Sequence, residues 1–219
     1  MDASNTVRFA QAFVRTVIDS RNTAELLVGE ELTSVGRMQA LIPMMEASAE
    51  GRDILAERPR IDAQTIVRDR LGDLPAGTLG RAWLDHLAKN NLDPGALTVP
   101  VSRGPTEQAN YLLERVRQTH DLWHTLLGLG TAPHEEVLVH AFQWPQLRMP
   151  YSALIVGFGT VKHVIGEGRW ALLSRGLRRA LRAGRRASPL LPVYWERYWE
   201  VPVVELRRRL RIEAAEHWT

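Results

Sequence analysis

The sequence predicts an all-α fold, a single multi-helix domain over residues 1–219, and three observations support this class. Apolar residues recur at spacings of three and four nearly everywhere, which is the period of a helix packed on one side. No segment shows the strict alternation of a half-buried strand. Proline, glycine and threonine lie at the ends of the periodic stretches, where helices start and stop.

The predicted helices of the chain cover, in order, residues 8–18, 34–47, 51–58, 78–87, 106–129, 131–142, 152–164 and 168–183. In the first half, Pro43 predicts a kink in the helix over 34–47, and Pro59 predicts the end of the helix over 51–58. Proline disfavours a helical conformation at its own position and at the residue before it. Thr78 is a candidate N-cap for the helix that follows it. Residues 90–104 are rich in Pro, Gly and Asn and predict a loop within the same domain.

The second half begins with the longest predicted helix. Gly128 and Gly130 end it, and Pro133 is suited to the first turn of the next helix. Residues 143–150 predict a break, because Pro145 and Pro150 interrupt the pattern. A proline-rich segment then closes the chain.

Composition narrows the possible functions. The 219 residues include no cysteine, so disulfides, thiolate metal sites and cysteine nucleophiles are excluded. A net charge of +3 is too small to indicate nucleic acid as a partner. Residues 1–20 lack a signal-peptide pattern, and the longest apolar stretch, 151–165, is interrupted by Lys162 and His163. We therefore expect a cytoplasmic protein that is soluble or lies on a membrane surface.

A basic amphipathic helix is predicted near the C-terminus. Arginines interleave with leucines over residues 172–186, as in helices that contact anionic membranes, although many such helices are only solvated faces. Gly157 and Gly159 allow close backbone approach, either to a lipid tail or to a neighbouring helix. Four tryptophans are either interfacial or ordinary packing residues, namely Trp170, Trp195, Trp199 and Trp218.

The segment His120-Asp121-Leu122-Trp123-His124 carries the candidate chemistry. His120 and His124 lie one turn apart on an otherwise apolar stripe, and Asp121 lies about 100° round the helix from His120. A buried, unpaired imidazole is costly, and a bound metal would satisfy it. The alternative is that each histidine is simply hydrogen-bonded, and that Asp121 forms an ion pair with Arg117 four residues earlier.

Glu136 is the candidate fourth ligand. The long helix runs roughly 7.5 Å beyond His124, and the next helix returns roughly 6 Å before Glu136, so antiparallel packing brings the two level. His140, one turn further, is a spare candidate. A set of imidazoles and carboxylates suits Zn, Fe, Mn or Co, and two histidines with one carboxylate can also form an iron facial triad. HD-type phosphohydrolases need further dispersed ligands that the sequence lacks.

These residues resemble the motif of the Coq4 family, H-D-x-x-H followed by eleven residues and E. His120, Asp121, His124 and Glu136 match it residue by residue. The flanking segments 74–84 (LPAGTLGRAWL), 117–124 (RQTHDLWH) and 184–196, and the final 202–212, are similar to family segments as well. The resemblance covers roughly residues 70–212. One departure is Gln143, which follows Phe142 where the family often has a glutamate.

The resemblance implies a helical fold with a lipid-accommodating groove, a zinc-type divalent site (Fe or Mn as alternatives) and a role in ubiquinone biosynthesis. Family members are associated with removing the ring carboxylate at C1 of a prenylated aromatic intermediate and hydroxylating that carbon. On this view Asp121 is a ligand or base, and Arg117 binds an anionic head group. The expected partners are a prenylated quinone precursor, the bacterial inner membrane, other ubiquinone biosynthesis proteins and a second copy in a homodimer.

Two other functions stay open from the sequence. The chain is either a non-catalytic prenyl-lipid-binding scaffold, in which the metal braces two helices, or a metal-dependent hydrolase of unrelated metabolism. The groove is predicted along residues 151–164, whose apolar side chains suit an isoprenoid tail.

Overall fold

A computed structural model describes residues 23–95, 98–167 and 170–218, and these form an all-α fold, as predicted. The helices are α1 (Thr23–Gln39), α2 (Ile42–Glu46), α3 (Ala49–Glu57), α4 (Ala63–Arg68), α5 (Leu79–Asn90), α6 (Glu107–Leu127), α7 (Pro133–Leu147), α8 (Pro150–Glu167), α9 (Trp170–Arg186) and α10 (Val203–Leu210). The helix predicted over residues 8–18 lies outside the described residues, as do Trp170's side-chain surroundings.

The long helix α6 lies at the centre of the fold, and its polar side chains tie it to its neighbours. Arg115 is fully buried and binds Glu196. Arg117 binds Glu30 of α1, and the Gln118 Oε1 accepts a hydrogen bond from the backbone N–H of Ile61. Because an unpaired buried polar group is costly, these contacts favour one rotation of α6 about its axis.

Two sequence predictions about proline were wrong. The kink predicted at Pro43 is instead a break at residues 40–41, and Pro43 lies in the first turn of α2, where its missing N–H costs nothing. The break predicted over residues 143–150 does not occur before Leu147, because α7 continues through Pro145. Gln146 holds this last turn in place by donating to the Gly184 carbonyl oxygen at 2.6 Å.

The start of α5 is capped by the C-terminal segment. The backbone N–H groups of Leu79 and Gly80 donate to the carbonyl oxygens of Val201 and Trp199, each at 2.9 Å. The side-chain cap predicted for Thr78 is wrong, because its hydroxyl donates to the Pro75 carbonyl oxygen instead. Long-range backbone contacts thus supply the acceptors that a local side chain was expected to provide.

Buried tryptophans belong to the core of the described residues. Trp195, Trp199 and Trp218 are buried, so they are packing residues rather than interfacial ones. The rings of Trp83 and Trp199 stack with centroids 5.6 Å apart, which joins α5 to the C-terminal segment. This packing holds α5 beside α6, where the candidate site lies.

Close packing of α7 against α9 depends on a glycine. A Cβ atom at Gly184 would lie 2.1 Å from the Phe142 carbonyl oxygen, so we expect Gly184→Ala to lower the free energy of unfolding by about 1–3 kcal/mol. Urea denaturation measures the change. Gly157→Ala on α8 is the control: nothing lies within 4 Å of a Cβ there, so it should not destabilise. Equal effects of the two variants would contradict the prediction.

Candidate metal centre

Helices α6 and α7 bring two imidazoles and one carboxylate together. His120 Nε2 and His124 Nε2 lie 3.1 Å apart, and Glu136 Oε2 lies 3.4 Å from each of them. One ligand atom from each of these three residues lies within 4.8 Å of the others. The turn between α6 and α7 therefore returns Glu136 to the level of the two histidines, as the spacing predicted.

Backbone geometry fixes this turn. Gly128 has a φ of 72°, a left-handed conformation that ends α6 and that glycine adopts without a steric penalty. The Glu135 carboxylate then accepts from the backbone N–H groups of Gly130 and Ala132 at 2.8 and 3.1 Å. The adjacent Glu136 is thereby directed to the histidines.

His124 has its tautomer set by the same turn. Its Nδ1 lies 2.9 Å from the Gly130 carbonyl oxygen, which can only accept, so Nδ1 carries the proton. Nε2 of the neutral ring therefore presents a lone pair to Glu136 and His120. A backbone carbonyl that holds the other ring nitrogen is the usual support of a metal-binding histidine. The side chain is fully buried, so its orientation is fixed by packing as well.

The charges of the group are coupled. Burial disfavours the charged form of Glu136, but its contacts with His120 and His124 outweigh burial and hold the pKa of its carboxyl well below the usual range. Burial likewise opposes charge on His120, yet Glu136 and Asp121 raise the pKa of that imidazole above its ordinary value. The carboxylate is thus ionised and attracts positive charge, whether a proton on His120 or a cation.

Asp121 and Arg117, the two predicted catalytic residues, lie outside the converging group. Asp121 is adjacent on α6, but its carboxylate is not among the ligand atoms that meet. Arg117 pairs with Glu30 at 2.7 Å rather than with Asp121, and it also donates to the carbonyl oxygens of Leu27 and Val99. The ligand or base role of Asp121 stays a prediction.

Two further histidines flank the pair and complete a row of four rings. His86 of α5 lies against His124, with ring centroids 5.5 Å apart, and the spare candidate His140 lies 5.5 Å from His120 on the other side. His140 Nδ1 faces Ser152 Oγ at 3.3 Å, and burial lowers its pKa to about 3, so it is neutral. Sequence reasoning missed His86, since no spacing links it to residues 34 or more positions away.

The donor set fits a divalent metal. Two imidazole nitrogens and a carboxylate oxygen are borderline ligands, and three protein ligands with a further position open are typical of catalytic zinc sites. The neutral flanking rings add no positive charge that would repel a dication. His86 Nε2 lies beside His124, inaccessible to solvent and without a hydrogen-bond partner among the described residues.

The fold and the site define an all-helical protein with a histidine–carboxylate candidate metal centre. The profile of the family "Coenzyme Q (ubiquinone) biosynthesis protein Coq4" matches residues 2–216. The chain therefore belongs to the Coq4 family, whose members take part in ubiquinone biosynthesis.

Individual relatives agree with this assignment. The chain is 34% identical over 209 residues to the mitochondrial ubiquinone biosynthesis protein COQ4 homolog of Aedes aegypti, covering 93% of this chain and 74% of that protein. It is 36% identical over 187 residues to the mitochondrial homolog of Rattus norvegicus, covering 83% and 68%. A crystal structure of a candidate ubiquinone biosynthesis protein from Nostoc punctiforme has the same fold, with a TM-score of 0.74, 24% identity and coverage of 94% and 97%.

The family assignment confirms the resemblance on which the sequence prediction rested, and it gives no support to a hydrolase of unrelated metabolism. Within the described ranges, no helix combines the length and the apolar character needed to cross a membrane.

Proposed function

We propose that this chain is a zinc-dependent enzyme of ubiquinone biosynthesis that acts at C1 of a prenylated aromatic intermediate. The C1 carboxylate would leave as carbon dioxide and a proton would take its place, before that carbon is hydroxylated. The observation that carries the proposal is the convergence of His120, His124 and Glu136 within 4.8 Å. A bound divalent ion supplies Lewis acidity toward a carboxylate or phenolate oxygen. Iron or manganese are the alternatives to zinc.

Residues beside the group suit an aromatic head that carries oxygen atoms. The ring of Tyr151 lies edge-on to His140, with centroids 5.7 Å apart. Burial, with the charges of Glu30 and Glu136, raises the pKa of the Tyr151 phenol, so its O–H stays protonated and can donate a hydrogen bond. Tyr151 and the neutral His140 would therefore bind and orient a phenolic ring without adding charge.

Arg117 receives a positioning role in this proposal. Its guanidinium is nearly fully buried and binds Glu30 and the Leu27 carbonyl oxygen of α1, together with the Val99 carbonyl oxygen of the segment before α6. With its donors engaged in this way, it holds α1 against α6 rather than binding the head group. Asp121 remains the proposed base or additional ligand.

The membrane contact rests on α9. Its exposed arginines form one charged surface, whereas Ala180, Ala183 and the partly buried Leu177 and Leu181 face the core. The exposed residues are Arg175, Arg178, Arg182, Arg185 and Arg186. Guanidinium groups bind phosphate head groups well, which supports peripheral binding to an anionic membrane as the route to a prenylated substrate. The predicted groove along residues 151–164, the bacterial location and the homodimer stay predictions.

Complementation tests the function. A strain that lacks its own Coq4 should regain ubiquinone with the wild-type chain but not with Glu136→Ala, and the latter should accumulate intermediates that retain the C1 carboxylate, because the ion needed for its removal is no longer held. Mass spectrometry of the quinone pool is the measurement. The matched control on α6 is Glu107→Ala, an exposed surface carboxylate paired with Arg58, which should complement fully.

The same strains distinguish the enzymatic function from a scaffold function. If Glu136→Ala is folded and free of metal and yet restores ubiquinone to the wild-type level, the enzymatic proposal is wrong and a non-catalytic lipid-binding scaffold is favoured. Circular dichroism and metal analysis of the purified variant establish those two conditions.

A further inference from the structure

His86 is a half-buried polar residue beside the candidate metal centre, its Nε2 atom is inaccessible to solvent, and no part of the Coq4 motif includes it. It lies on α5, and its ring packs against the ring of His124 at 5.5 Å with an interplanar angle of 33°. The stacking of Trp83 on Trp199 holds the same helix in place. The packing of α5 thus brings the ring to the site from a different helix than the one that carries His120 and His124.

Hydrogen bonds around His86 set its tautomer. The Asn90 amide nitrogen donates to the His86 carbonyl oxygen at 2.8 Å and lies 3.3 Å from His86 Nδ1. The Asn90 amide oxygen accepts from Thr131 Oγ1 at 3.2 Å, which fixes the amide's orientation. Because the nitrogen of Asn90 is the donor, Nδ1 accepts, and in the neutral ring the proton lies on Nε2.

This Nε2–H is a hydrogen-bond donor without an acceptor. The atom is inaccessible to solvent and has no partner among the described residues. Buried donors are nearly always paired, so an unpaired one at a candidate site calls for an explanation. Because the atom is closed to bulk solvent, a side chain near the centre is the kind of acceptor that would satisfy it.

Asp121 is the acceptor that fits. It lies on α6 three residues before His124, so it shares the helix face against which His86 packs. Burial and the His124 ring lower the pKa of His86, while Asp121 is the carboxylate that opposes this most, ahead of Glu136. Asp121 is also the motif carboxylate that lies outside the converging ligand atoms. A carboxylate outside the converging atoms and an N–H donor without a partner thus adjoin the same site.

We propose that His86 is a positioning residue of the metal centre, whose Nε2–H donates to the Asp121 carboxylate and holds that carboxylate toward the ion. The inference rests on the metal site of the proposed function. Carboxylates that contact a metal are themselves usually held by hydrogen bonds from a neighbouring side chain. His86 gives Asp121 that support, from a helix that carries none of the other ligands.

A double-mutant cycle on zinc affinity tests the pairing. His86→Phe keeps the ring that packs on His124 and removes the N–H, and it should weaken zinc binding about 10-fold in the wild-type background. In the Asp121→Ala background the same change should weaken it less than about 2-fold, because the acceptor is already gone. Chelator competition gives the dissociation constants, and the absorption spectrum of the cobalt-substituted chain should shift with His86→Phe.

Two variants control for packing. His86→Gln places an amide N–H near the position of Nε2, so it should restore affinity to within about 3-fold of wild type. His140→Phe alters the ring at the opposite end of the row, whose Nδ1 already has Ser152 as a partner. His140→Phe should change zinc affinity by the same factor in the wild-type and the Asp121→Ala backgrounds, because His140 takes no part in the proposed bond to Asp121.

The outcomes separate this inference from the metal site itself. If His86→Phe weakens zinc binding equally in both backgrounds, or not at all, or if His86→Gln is no better than His86→Phe, the pairing with Asp121 is overturned while the metal site stands. If the wild-type chain binds no zinc, iron or manganese, the proposed metal-dependent function is wrong, and the inference about His86 is wrong with it.

Discussion

Zinc affinity is expected to fall more than about 100-fold when Glu136 is replaced by glutamine, more than the loss typical of a residue that only supports a ligand. The amide keeps the size of the side chain but removes the charge of the one carboxylate that contacts both His120 and His124. The contacts with His120 and His124 hold the pKa of this carboxyl well below its usual range, and Glu136 is the one carboxylate among the converging ligand atoms of the described residues. Equilibrium dialysis with metal analysis gives the stoichiometry, and chelator competition gives the affinity.

Glu107→Gln is the matched control for this measurement. Glu107 is a strongly exposed carboxylate in the first turn of α6, so its loss should leave zinc affinity unchanged. Thermal unfolding with and without zinc gives a second readout, because an ion that binds only the folded chain raises the midpoint. Wild-type zinc affinity in a folded Glu136→Gln chain would contradict the assignment of this residue as a ligand.

The free energy of unfolding is expected to fall by about 3–5 kcal/mol in Glu196→Gln, as for other buried ion pairs that lose one partner. Two hydrogen bonds of 2.6 and 2.7 Å join the Arg115 guanidinium to the Glu196 carboxylate in a bidentate pair. Arg115 is fully buried, and its Nε has no partner among the described residues, so the carboxylate is its principal compensation. Urea denaturation followed by circular dichroism measures the change.

A surface pair provides the comparison. Arg81 and Asp85 form an i,i+4 ion pair at 3.0 Å on α5, with both side chains substantially exposed, and Asp85→Asn should cost less than about 0.5 kcal/mol. The double variant Arg115→Met with Glu196→Leu should recover part of the loss, because it leaves no buried charge unpaired. If Glu196→Gln lowers the free energy of unfolding no more than Asp85→Asn does, the prediction is wrong, and water rather than Glu196 compensates the charge of Arg115.

Periodicity predicted most of the helices, but it missed residues 23–33 of α1 and all of α4 and α10, and it ended α7 too early. The long helix predicted over 106–129 is Glu107–Leu127, because Thr106 accepts from the Ala109 backbone N–H and Gly128 supplies the left-handed end. The prediction failed at Pro145, since a local rule for proline takes no account of Gln146 holding that turn onto Gly184. It failed at Thr78 because carbonyl groups more than 100 residues away cap the helix.

The candidate site was predictable where its ligands are close in the chain. His120 and His124 share one helix, and a short turn returns Glu136, so helical geometry alone placed the three together. Asp121 has the right spacing, but position on a helix face does not determine where a carboxylate points. His86 was not predictable, because it reaches the site only through the packing of α5 on α6.

The sequence by itself determined the all-α class through helical periodicity, and the family through several ordered segments that resemble Coq4. It also supplied the candidate metal ligands, because His120 and His124 are one turn apart and a short turn precedes Glu136. The tertiary structure decided which of these residues meet, that Arg117 pairs with Glu30, and that His86 and His140 flank the pair. Such contacts join residues tens of positions apart, and their distances depend on how helices pack rather than on any repeat in the chain.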